Sequence, residues 1–362
     1  MRKVRVLIVE DSPTLRLLLE TIVEADPRLE VAGSVASAEA MLARLEDLAP
    51  DVISLDIRLP GMNGLDATIE VMRRRPTPIV VVAADVNARD GFIAMNALRA
   101  GALSVLEKPD GGTAEAFAAM ANRICTHFYR MSQVKVVRQT FRRGLSFGLD
   151  GEAAVAPEAV PVPAPAGGGP YRMLAVVSST GGPSALVQLL GGLGADFPLP
   201  VLMVQHIGPK FVAGFADWLD AMTPLTVRVA EDGETPRPGT AYLAPADRHL
   251  LLDGDRLRLT EGPMAEGHKP SGTLLLRSVA ATAGKAGIGV ILTGMGSDGA
   301  AGLLELHRAG GHTVAEDETT AVVYGMPAAA VKLGAVRALL PVHAIGPHLR
   351  ARTGRPGEGG KP

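Results

Sequence analysis

Three hydroxyl groups stand side by side in the stretch "AVVSSTGGPSAL", where Ser178, Ser179 and Thr180 end an apolar run and two glycines and a proline follow. Such a turn suits two kinds of chemistry. Backbone N–H groups of a glycine-rich turn can cradle a phosphate, and an exposed hydroxyl can attack a carbonyl carbon. A hydroxyl nucleophile needs a base to take its proton and a carboxylate to orient that base. The spacing leaves all three hydroxyls as candidates.

A base and a carboxylate stand at the ends of two further apolar runs. His206 follows "LPVLMVQ", and Asp298 lies in "LTGMGSDGAAG". If the runs are parallel strands, their carboxyl ends meet at one edge of a sheet, where hydroxyl, imidazole and carboxylate can converge. The glycines around Asp298 allow close backbone approach and free N–H groups for an oxyanion. The alternative, a nucleotide site, lacks the acidic ribose partner that its motif requires.

A second set of charged residues lies in the first third of the chain. Glu10 and Asp11 follow one apolar run, Asp56 ends another, and Lys108 comes after a third. Clustered carboxylates attract a hard cation, and Mg²⁺ prefers oxygen ligands together with a phosphoryl group. A carboxylate such as Asp56 can attack a phosphoryl donor, and Lys108 would neutralise the added charge.

The elements that must position these residues alternate between strand and helix patterns in both halves, which predicts two doubly wound parallel sheets of the α/β class. Five βα units precede the low-complexity stretch at residues 151–169, which is typical of a linker. Residues 240–259 predict a β-hairpin with "DGD" at its turn. We therefore expect one domain over residues 1–128, a linker over 129–170, a second domain over 171–350 and a flexible tail over 351–362.

The composition excludes several classes of function. The chain has 362 residues, 47% of them hydrophobic, and a net charge of −2. Without a basic bias or a basic recognition helix, we expect no nucleic-acid partner, which argues against a DNA-binding regulator. No apolar run approaches the roughly 20 residues of a membrane span, so we expect no membrane insertion. The single cysteine, Cys125, fits a reducing compartment, and we expect the protein in the cytoplasm.

The segments "VLIVEDSPTLRLLLE", "LDIRLPGMNGLDA" and "LEKP" resemble the receiver domain of two-component response regulators. The resemblance covers residues 3–125. It implies a five-stranded fold in which Asp56 accepts a phosphoryl group from a histidine kinase while Glu10 and Asp11, with Asp56, hold Mg²⁺. Receivers usually carry Ser or Thr just after the fourth strand, but this chain has Ala83 and Ala84 there. The resemblance therefore leaves open how phosphorylation would be coupled to a conformational change.

Six segments of the second half resemble, in order, the catalytic domain of the chemotaxis protein-glutamate methylesterases. They are "SSTGGPSAL", "QHI", "YLAPADRHL", "HKPSGTLLLRSVA", "ILTGMGSDGAAGL" and "AEDETTAVVYGMPAAAV". The resemblance spans residues 173–343 and implies a Rossmann-like domain with a hairpin. It implies that Ser179 is the nucleophile, with His206 as base and Asp298 as its partner. It also implies that the Met295 backbone N–H stabilises the oxyanion and that Thr180 shapes the surroundings of the nucleophile.

The same resemblance implies the reaction. The expected substrates are methylated glutamates on the cytoplasmic helices of chemoreceptors, which lose methanol, and receptor glutamines, which are deamidated. The esterase needs no cofactor. The unphosphorylated receiver is expected to cover the active site, and phosphorylation to uncover it. The alternative is a non-catalytic response regulator that only binds receptors or another partner.

Two residues depart from the family pattern in the second half. The family has Gly two residues before the serine, where this chain has Val177, which makes the approach to the turn bulkier. A basic residue often follows "YGMP" in the family, and here Ala328 stands there. That change bears on receptor docking or on substrate contacts.

Overall fold

A computed structural model describes residues 2–83, 88–109, 113–134, 136 and 171–354. The chain divides into two compact units between residues 147 and 148, and each is described by itself. Ala84, most of the predicted linker and the end of the predicted tail lie outside the described residues. The linker and the tail stay predictions.

The N-terminal unit is a parallel sheet of five strands in the order β2-β1-β3-β4-β5, as the alternating pattern predicts. The strands are β1 (Val4–Val9), β2 (Leu29–Val35), β3 (Val52–Asp56), β4 (Ile79–Ala83) and β5 (Ser104–Glu107). The helices are α1 (Pro13–Glu24), α2 (Ala38–Leu48), α3 (Gly64–Arg74), α4 (Ala88–Arg99) and α5 (Ala114–Met131). The strand ends therefore bring Glu10, Asp11, Asp56 and Lys108 to one edge of the sheet.

The helices of this unit begin where the sequence supplies a cap. The Ser12 side chain accepts a hydrogen bond from the Leu15 N–H at the start of α1. Pro13 occupies the first turn, where the backbone N–H that proline lacks would have no partner within the helix. The last helix extends three residues beyond the expected domain end at 128. Its buried face continues with Phe128 and Met131, so ending the helix earlier would expose apolar surface.

The C-terminal unit is a parallel sheet of seven strands in the order β14-β13-β12-β6-β7-β9-β8, with a separate antiparallel hairpin of β10 and β11. Its strands are β6 (Met173–Ser178), β7 (Val201–Gln205), β8 (Thr226–Val229), β9 (Thr240–Leu243), β10 (His249–Asp253), β11 (Arg256–Thr260), β12 (Gly287–Ile291), β13 (His312–Glu316) and β14 (Ala338–Leu340). Its helices are α6 (Gly182–Leu193), α7 (Val212–Met222), α8 (Gly272–Ala283), α9 (Ala300–Arg308), α10 (Met326–Lys332) and α11 (Val342–Thr353).

The two α/β parallel sheets confirm the expected fold class. The predicted hairpin exists and turns at "DGD", but it is shorter than residues 240–259. Residues 240–243 form β9, which pairs with β7 and β8 in the main sheet because its apolar side chains belong to the core. The last helix ends at Thr353, three residues past the expected domain end at 350. Among the described residues, no helix has both the length and the apolar character needed to cross a bilayer.

The order of the seven strands determines where a ligand site can form. β6 lies between β12 and β7, so the chain leaves β6 toward one side of the sheet and later returns to the other. A crevice opens beyond the carboxyl ends of strands at such a switch in strand order. The end of β6, with Ser178, is at this switch.

A pair of buried histidines joins α11 to β13. The Nε2 atoms of His312 and His348 are 3.0 Å apart, and the Arg352 Nε–H donates to the same His348 Nε2 at 3.0 Å. Since an arginine nitrogen can only donate, His348 Nε2 must be an acceptor. The proton in the hydrogen bond between the two histidines is therefore carried by His312 Nε2. Burial, followed by the charge of Arg352, lowers the pKa of His312 to about 3. The pair is therefore neutral in the folded protein.

We expect the stability of the C-terminal unit to fall as the pH drops below the ordinary histidine range. The unfolded chain takes up a proton near pH 6.5, whereas folded His312 does so only near pH 3. This single site then lowers the free energy of unfolding by about 2 kcal/mol between about pH 7.5 and pH 5. Trp218, the single tryptophan, is fully buried in α7 and reports unfolding by fluorescence.

The matched variant is His312→Gln, which removes the titrating group. Denaturant unfolding at several pH values should give a pH dependence that is weaker by about 2 kcal/mol over that interval than in the wild type. Equal pH dependence in the two proteins would contradict the assignment of a neutral buried pair.

Candidate functional site

Backbone hydrogen bonds tie three strand ends together at the switch point. The His206 N–H donates to the Ser178 carbonyl at 3.0 Å, and the Ser179 N–H donates to the Thr293 carbonyl at 3.0 Å. The segments that follow β6, β7 and β12 are therefore locked to one another just beyond the strands. The structure brings Ser179, His206 and Asp298 to this edge, as their places after apolar runs predict.

The three neighbouring hydroxyls have different surroundings. Ser178 Oγ is buried and donates to Gln205 Oε1 at 2.7 Å. Thr180 is also buried, and its carbonyl accepts from Thr293 Oγ1 at 2.8 Å. Ser179 is partly exposed, and its hydroxyl has no hydrogen-bond partner among the described residues. Of the three, Ser179 is the hydroxyl that a substrate can reach and that no other bond restrains.

The imidazole of His206 is held at one edge and on one face. Its Nε2 lies 2.9 Å from Asp298 Oδ2, and its ring stacks on His268 with centroids 4.0 Å apart and an angle of 5° between planes. Its Nδ1 is buried and has no hydrogen-bond partner among the described residues. Since Nε2 donates to the carboxylate, Nδ1 is the nitrogen that can accept a proton.

The carboxylate of Asp298 is enclosed by the N-terminus of α8. Oδ1 accepts from Ser271 Oγ and from the Thr273 N–H, both at 2.9 Å, and Oδ2 accepts from the Gly272 N–H at 2.6 Å. Burial would raise the pKa of Asp298. The hydrogen bond and charge of His206, together with these backbone donors, lower the pKa well below its usual range. Asp298 is therefore ionised at neutral pH.

A second histidine, His249, fixes the turn that encloses Asp298. It is buried, its Nδ1 accepts from the Ser271 N–H at 3.2 Å, and its Nε2 lies 3.0 Å from the Pro263 carbonyl. These contacts require neutral His249 with its proton on Nε2. Sequence reasoning missed His249, His268 and the Ser271 cap. The signal that could have found the cap is "PSGTLLL", a serine placed just before an apolar helical run.

Glycine at position 294 lets the segment after β12 pack against Ser179. A methyl group added there would lie 2.8 Å from Ser179 Cβ and would overlap Met326 Sδ. The Gly294 carbonyl accepts from the Met326 N–H at 2.8 Å, which fixes this peptide. Met295 is the next residue, so its backbone N–H follows a segment that packs directly on Ser179. The placement is compatible with the expected oxyanion role of Met295.

The N-terminal unit gathers its predicted residues at the strand ends. Lys108 Nζ donates to Asp56 Oδ2 at 2.8 Å and to Glu10 Oε1 at 3.0 Å. Burial raises the pKa of Asp56 and of Glu10, and the Lys108 ammonium only partly offsets it. Ala83 is buried at the end of β4 and presents no hydroxyl.

The acidic side chains of this unit suit a divalent cation. Carboxylate oxygens of Glu10, Asp11 and Asp56 lie within 4.8 Å of one another, and Asp11 is exposed to solvent. Three hard oxygen donors with one open side match the preference of Mg²⁺ for a few carboxylates, water and a phosphoryl oxygen. The residues present therefore fit the cation that the receiver resemblance implies.

Comparison with known proteins assigns a family to each unit. Residues 6–116 match the family model of the response regulator receiver domain, and residues 174–349 match that of the CheB methylesterase. Protein-glutamate methylesterase/protein-glutamine glutaminase 2 of Paramagnetospirillum magneticum is 56% identical over 96% of this chain and 97% of its own. Protein-glutamate methylesterase/protein-glutamine glutaminase 3 of Anaeromyxobacter dehalogenans is 44% identical over 96% of this chain and 98% of its own.

Solved structures match the two units separately. The CheB methylesterase catalytic domain of Thermotoga maritima is 36% identical, with a TM-score of 0.49, and covers 50% of this chain and 97% of that one. The response regulator domain of Thermotoga maritima CheB is 30% identical, with a TM-score of 0.34, and covers 37% of this chain and 100% of that one.

The bulky Val177 is accommodated by a glycine at the start of α8. A methyl group added at Gly272 would overlap the Val177 side chain, and one added at Gly299 would lie 3.4 Å from Val177 Cγ1. The valine therefore fills space that two glycines leave open. Because the Gly272 N–H holds Asp298, this contact also sets how closely α8 approaches the carboxylate.

We expect Gly272→Ala to destabilise the C-terminal unit by roughly 1–3 kcal/mol, because the added methyl overpacks the core against Val177. Activity should also fall, because the displaced α8 moves its donors away from Asp298. The V177A/G272A double variant should regain stability relative to G272A, with a coupling of about 1 kcal/mol or more. Val177→Ala alone is the matched control. Strict additivity in unfolding followed by Trp218 fluorescence would contradict the contact.

Proposed function

Since the chain belongs to the family of chemotaxis protein-glutamate methylesterases and protein-glutamine glutaminases, we propose that Ser179, His206 and Asp298 hydrolyse glutamate methyl esters on chemoreceptors. The observation that carries this assignment is the unpartnered, buried His206 Nδ1 on a ring anchored to Asp298. The Ser179 hydroxyl, which has no hydrogen-bond partner among the described residues, follows Ser178, whose carbonyl accepts from the His206 N–H.

The acylation step follows from these positions. His206 Nδ1 takes the proton of Ser179 as its oxygen attacks the ester carbonyl carbon. The resulting imidazolium is stabilised by ionised Asp298, and the oxyanion by backbone N–H groups near Met295. The imidazolium then gives its proton to the departing methoxide, which leaves as methanol.

Deacylation uses the same groups in reverse. His206 takes a proton from water, the hydroxide attacks the acyl-serine, and Ser179 leaves with the proton returned by the imidazole. The product is a glutamate carboxylate. A glutamine side chain can enter the same path with ammonia as the leaving group, which gives the glutaminase activity named for the relatives. Every step uses protein groups and water, and we propose no cofactor for it.

We also propose that the N-terminal unit regulates this reaction through phosphorylation of Asp56 by a histidine kinase. Glu10, Asp11 and Asp56 would hold Mg²⁺, which neutralises charge on the incoming phosphoryl group. Lys108, already bonded to Asp56, would pair with the phosphoryl oxygens. Ala83 offers them no hydroxyl, so the coupling of phosphorylation to activity has to depend on other groups.

The alternative function is a non-catalytic response regulator that only binds receptors. Such a protein has no use for a buried imidazole nitrogen that, among the described residues, has no hydrogen-bond partner and can accept a proton. The Ser179, His206 and Asp298 arrangement therefore favours the enzyme. Methanol release from methylated receptor membranes discriminates between the two functions.

We expect Ser179→Ala to lower methanol release by about 10³-fold or more, because the acyl-enzyme path is lost. Ser178→Ala is the matched control. It removes the buried bond to Gln205 and should cost about 1–2 kcal/mol of stability while keeping turnover within roughly tenfold. Retained activity in Ser179→Ala would show that Ser179 is not the nucleophile. A loss of activity confined to Ser178→Ala would assign that role to Ser178.

The regulatory proposal is tested with acetyl phosphate as a small phosphodonor. We expect it to raise methanol release by the wild type in the presence of Mg²⁺ and to leave the Asp56→Ala variant unchanged. Omitting Mg²⁺ should abolish the response of the wild type. Equal rates with and without acetyl phosphate in both proteins would mean that phosphorylation does not regulate the esterase.

A further inference from the structure

A buried carboxyl group that the mechanism does not use bonds to Thr293, whose carbonyl accepts from the Ser179 N–H. Glu316 is the last residue of β13, the strand beside β12, and is 1% exposed. A charged side chain in such a place costs free energy unless hydrogen bonds compensate for the lost hydration. Its contacts therefore indicate what it is there to hold.

Each oxygen of Glu316 accepts one hydrogen bond. Oε2 accepts from the Thr293 N–H at 2.8 Å, and Oε1 accepts from Thr320 Oγ1 at 3.0 Å. Thr293 is the residue whose carbonyl holds the Ser179 N–H and whose hydroxyl holds the Thr180 carbonyl. One residue thus connects the carboxyl group to the backbone on both sides of the Ser179–Thr180 peptide. Gly294 and Met295 follow it directly.

The groups that face Glu316 are mostly apolar. Leu340 pairs with it from β14, and Leu292 follows the neighbouring strand β12. Asp317 in the following turn is the charged group that acts on it. Among the titratable groups of the helices on this sheet, His307 and His348 contact Thr313 and His312 at the opposite end of the strand. Lys332 of α10 and His343 of α11 are exposed.

This environment places the titration of Glu316 in the working range of an enzyme. Burial raises its pKa to about 7, against the opposing effect of the hydrogen bonds from Thr293 and Thr320, and the Asp317 charge adds to the rise. The carboxyl is therefore ionised in alkaline solution and protonated in acid.

Resting on the function proposed above, we propose that Glu316 is a positioning residue for the hydrolysis, whose ionised carboxylate holds Thr293 and through it the backbone around Ser179. A hydrogen bond to an ionised acceptor is about twice as strong as one to a neutral acceptor. Protonation of Glu316 therefore weakens its hydrogen bond to Thr293. The rate of hydrolysis falls, although Glu316 itself does not contact the substrate.

Thr320 makes the protonated state costly as well. Its hydroxyl accepts from the Val342 N–H at 3.0 Å while it donates to Glu316 Oε1. When Glu316 gains a proton on Oε1, that proton and the Thr320 hydroxyl proton compete for the same space between the oxygens. The network is complete only when the carboxyl is ionised.

The decisive experiment compares the wild type with E316Q across pH. The amide of the variant keeps an acceptor for the Thr293 N–H and resembles the protonated acid. We expect the wild-type kcat/KM for methanol release to exceed that of E316Q about fivefold near pH 8.5 and to equal it near pH 5.5, with a midpoint near 7. Ionisations that affect both proteins equally cancel in this ratio.

Asp317→Asn is the matched control, because it removes a nearby charge and leaves Glu316 in place. Its ratio to E316Q should show the same pH dependence with the midpoint moved to lower pH, because the Asp317 charge raises the pKa of Glu316. A wild-type ratio that is constant across pH overturns the proposal, because a purely structural Glu316 gives that result. Absence of methanol release from the wild type at every pH would instead overturn the proposed function.

Discussion

Burying an ionised carboxylate is the constraint on which the esterase unit depends. Asp298 has to remain an anion in the interior to orient His206, and an isolated buried anion is costly. The sequence meets this cost with the N-terminus of α8, which aims the Gly272 and Thr273 N–H groups and the Ser271 hydroxyl at the two oxygens. The hairpin, His249 and the glycine at 272 are then the means of bringing that helix end close enough.

Three of the buried acids differ in how fully their charge is compensated, and their chemistry follows from that difference. Asp298 has several donors and a pKa well below its usual range, so it is ionised at neutral pH. Asp56 has Lys108 and one backbone donor, and its pKa is raised. Its charge is incompletely compensated, so binding a cation and accepting a phosphoryl group would stabilise it. Glu316 has two neutral donors and titrates near pH 7, which suits a group whose ionisation is felt at the site.

Much of this arrangement could be predicted from the sequence because parallel strands end at one edge of the sheet. Glu10, Asp56, His206 and Asp298 all directly follow or lie close behind apolar runs, so their convergence requires only the fold class. The donors to Asp298 could not be predicted in this way. They belong to a helix N-terminus about 25 residues earlier in the chain, and only tertiary packing brings it to the carboxylate. The match between Val177 and Gly272 is likewise a matter of space between distant elements.

The choice of base nitrogen shows how that packing determines the chemistry. Nδ1 is the imidazole nitrogen closer to its own backbone, and the His206 N–H is bonded to the Ser178 carbonyl, one residue before Ser179. Asp298 bonds to Nε2, the nitrogen farther from the His206 backbone, and the N-terminus of α8 holds that carboxylate. The nitrogen that has no hydrogen-bond partner among the described residues is therefore the one closer to the His206 backbone. The helix N-terminus, by holding Asp298, thus occupies one nitrogen and leaves the other available to accept a proton, while the ring of His268 stacks on one face of the imidazole.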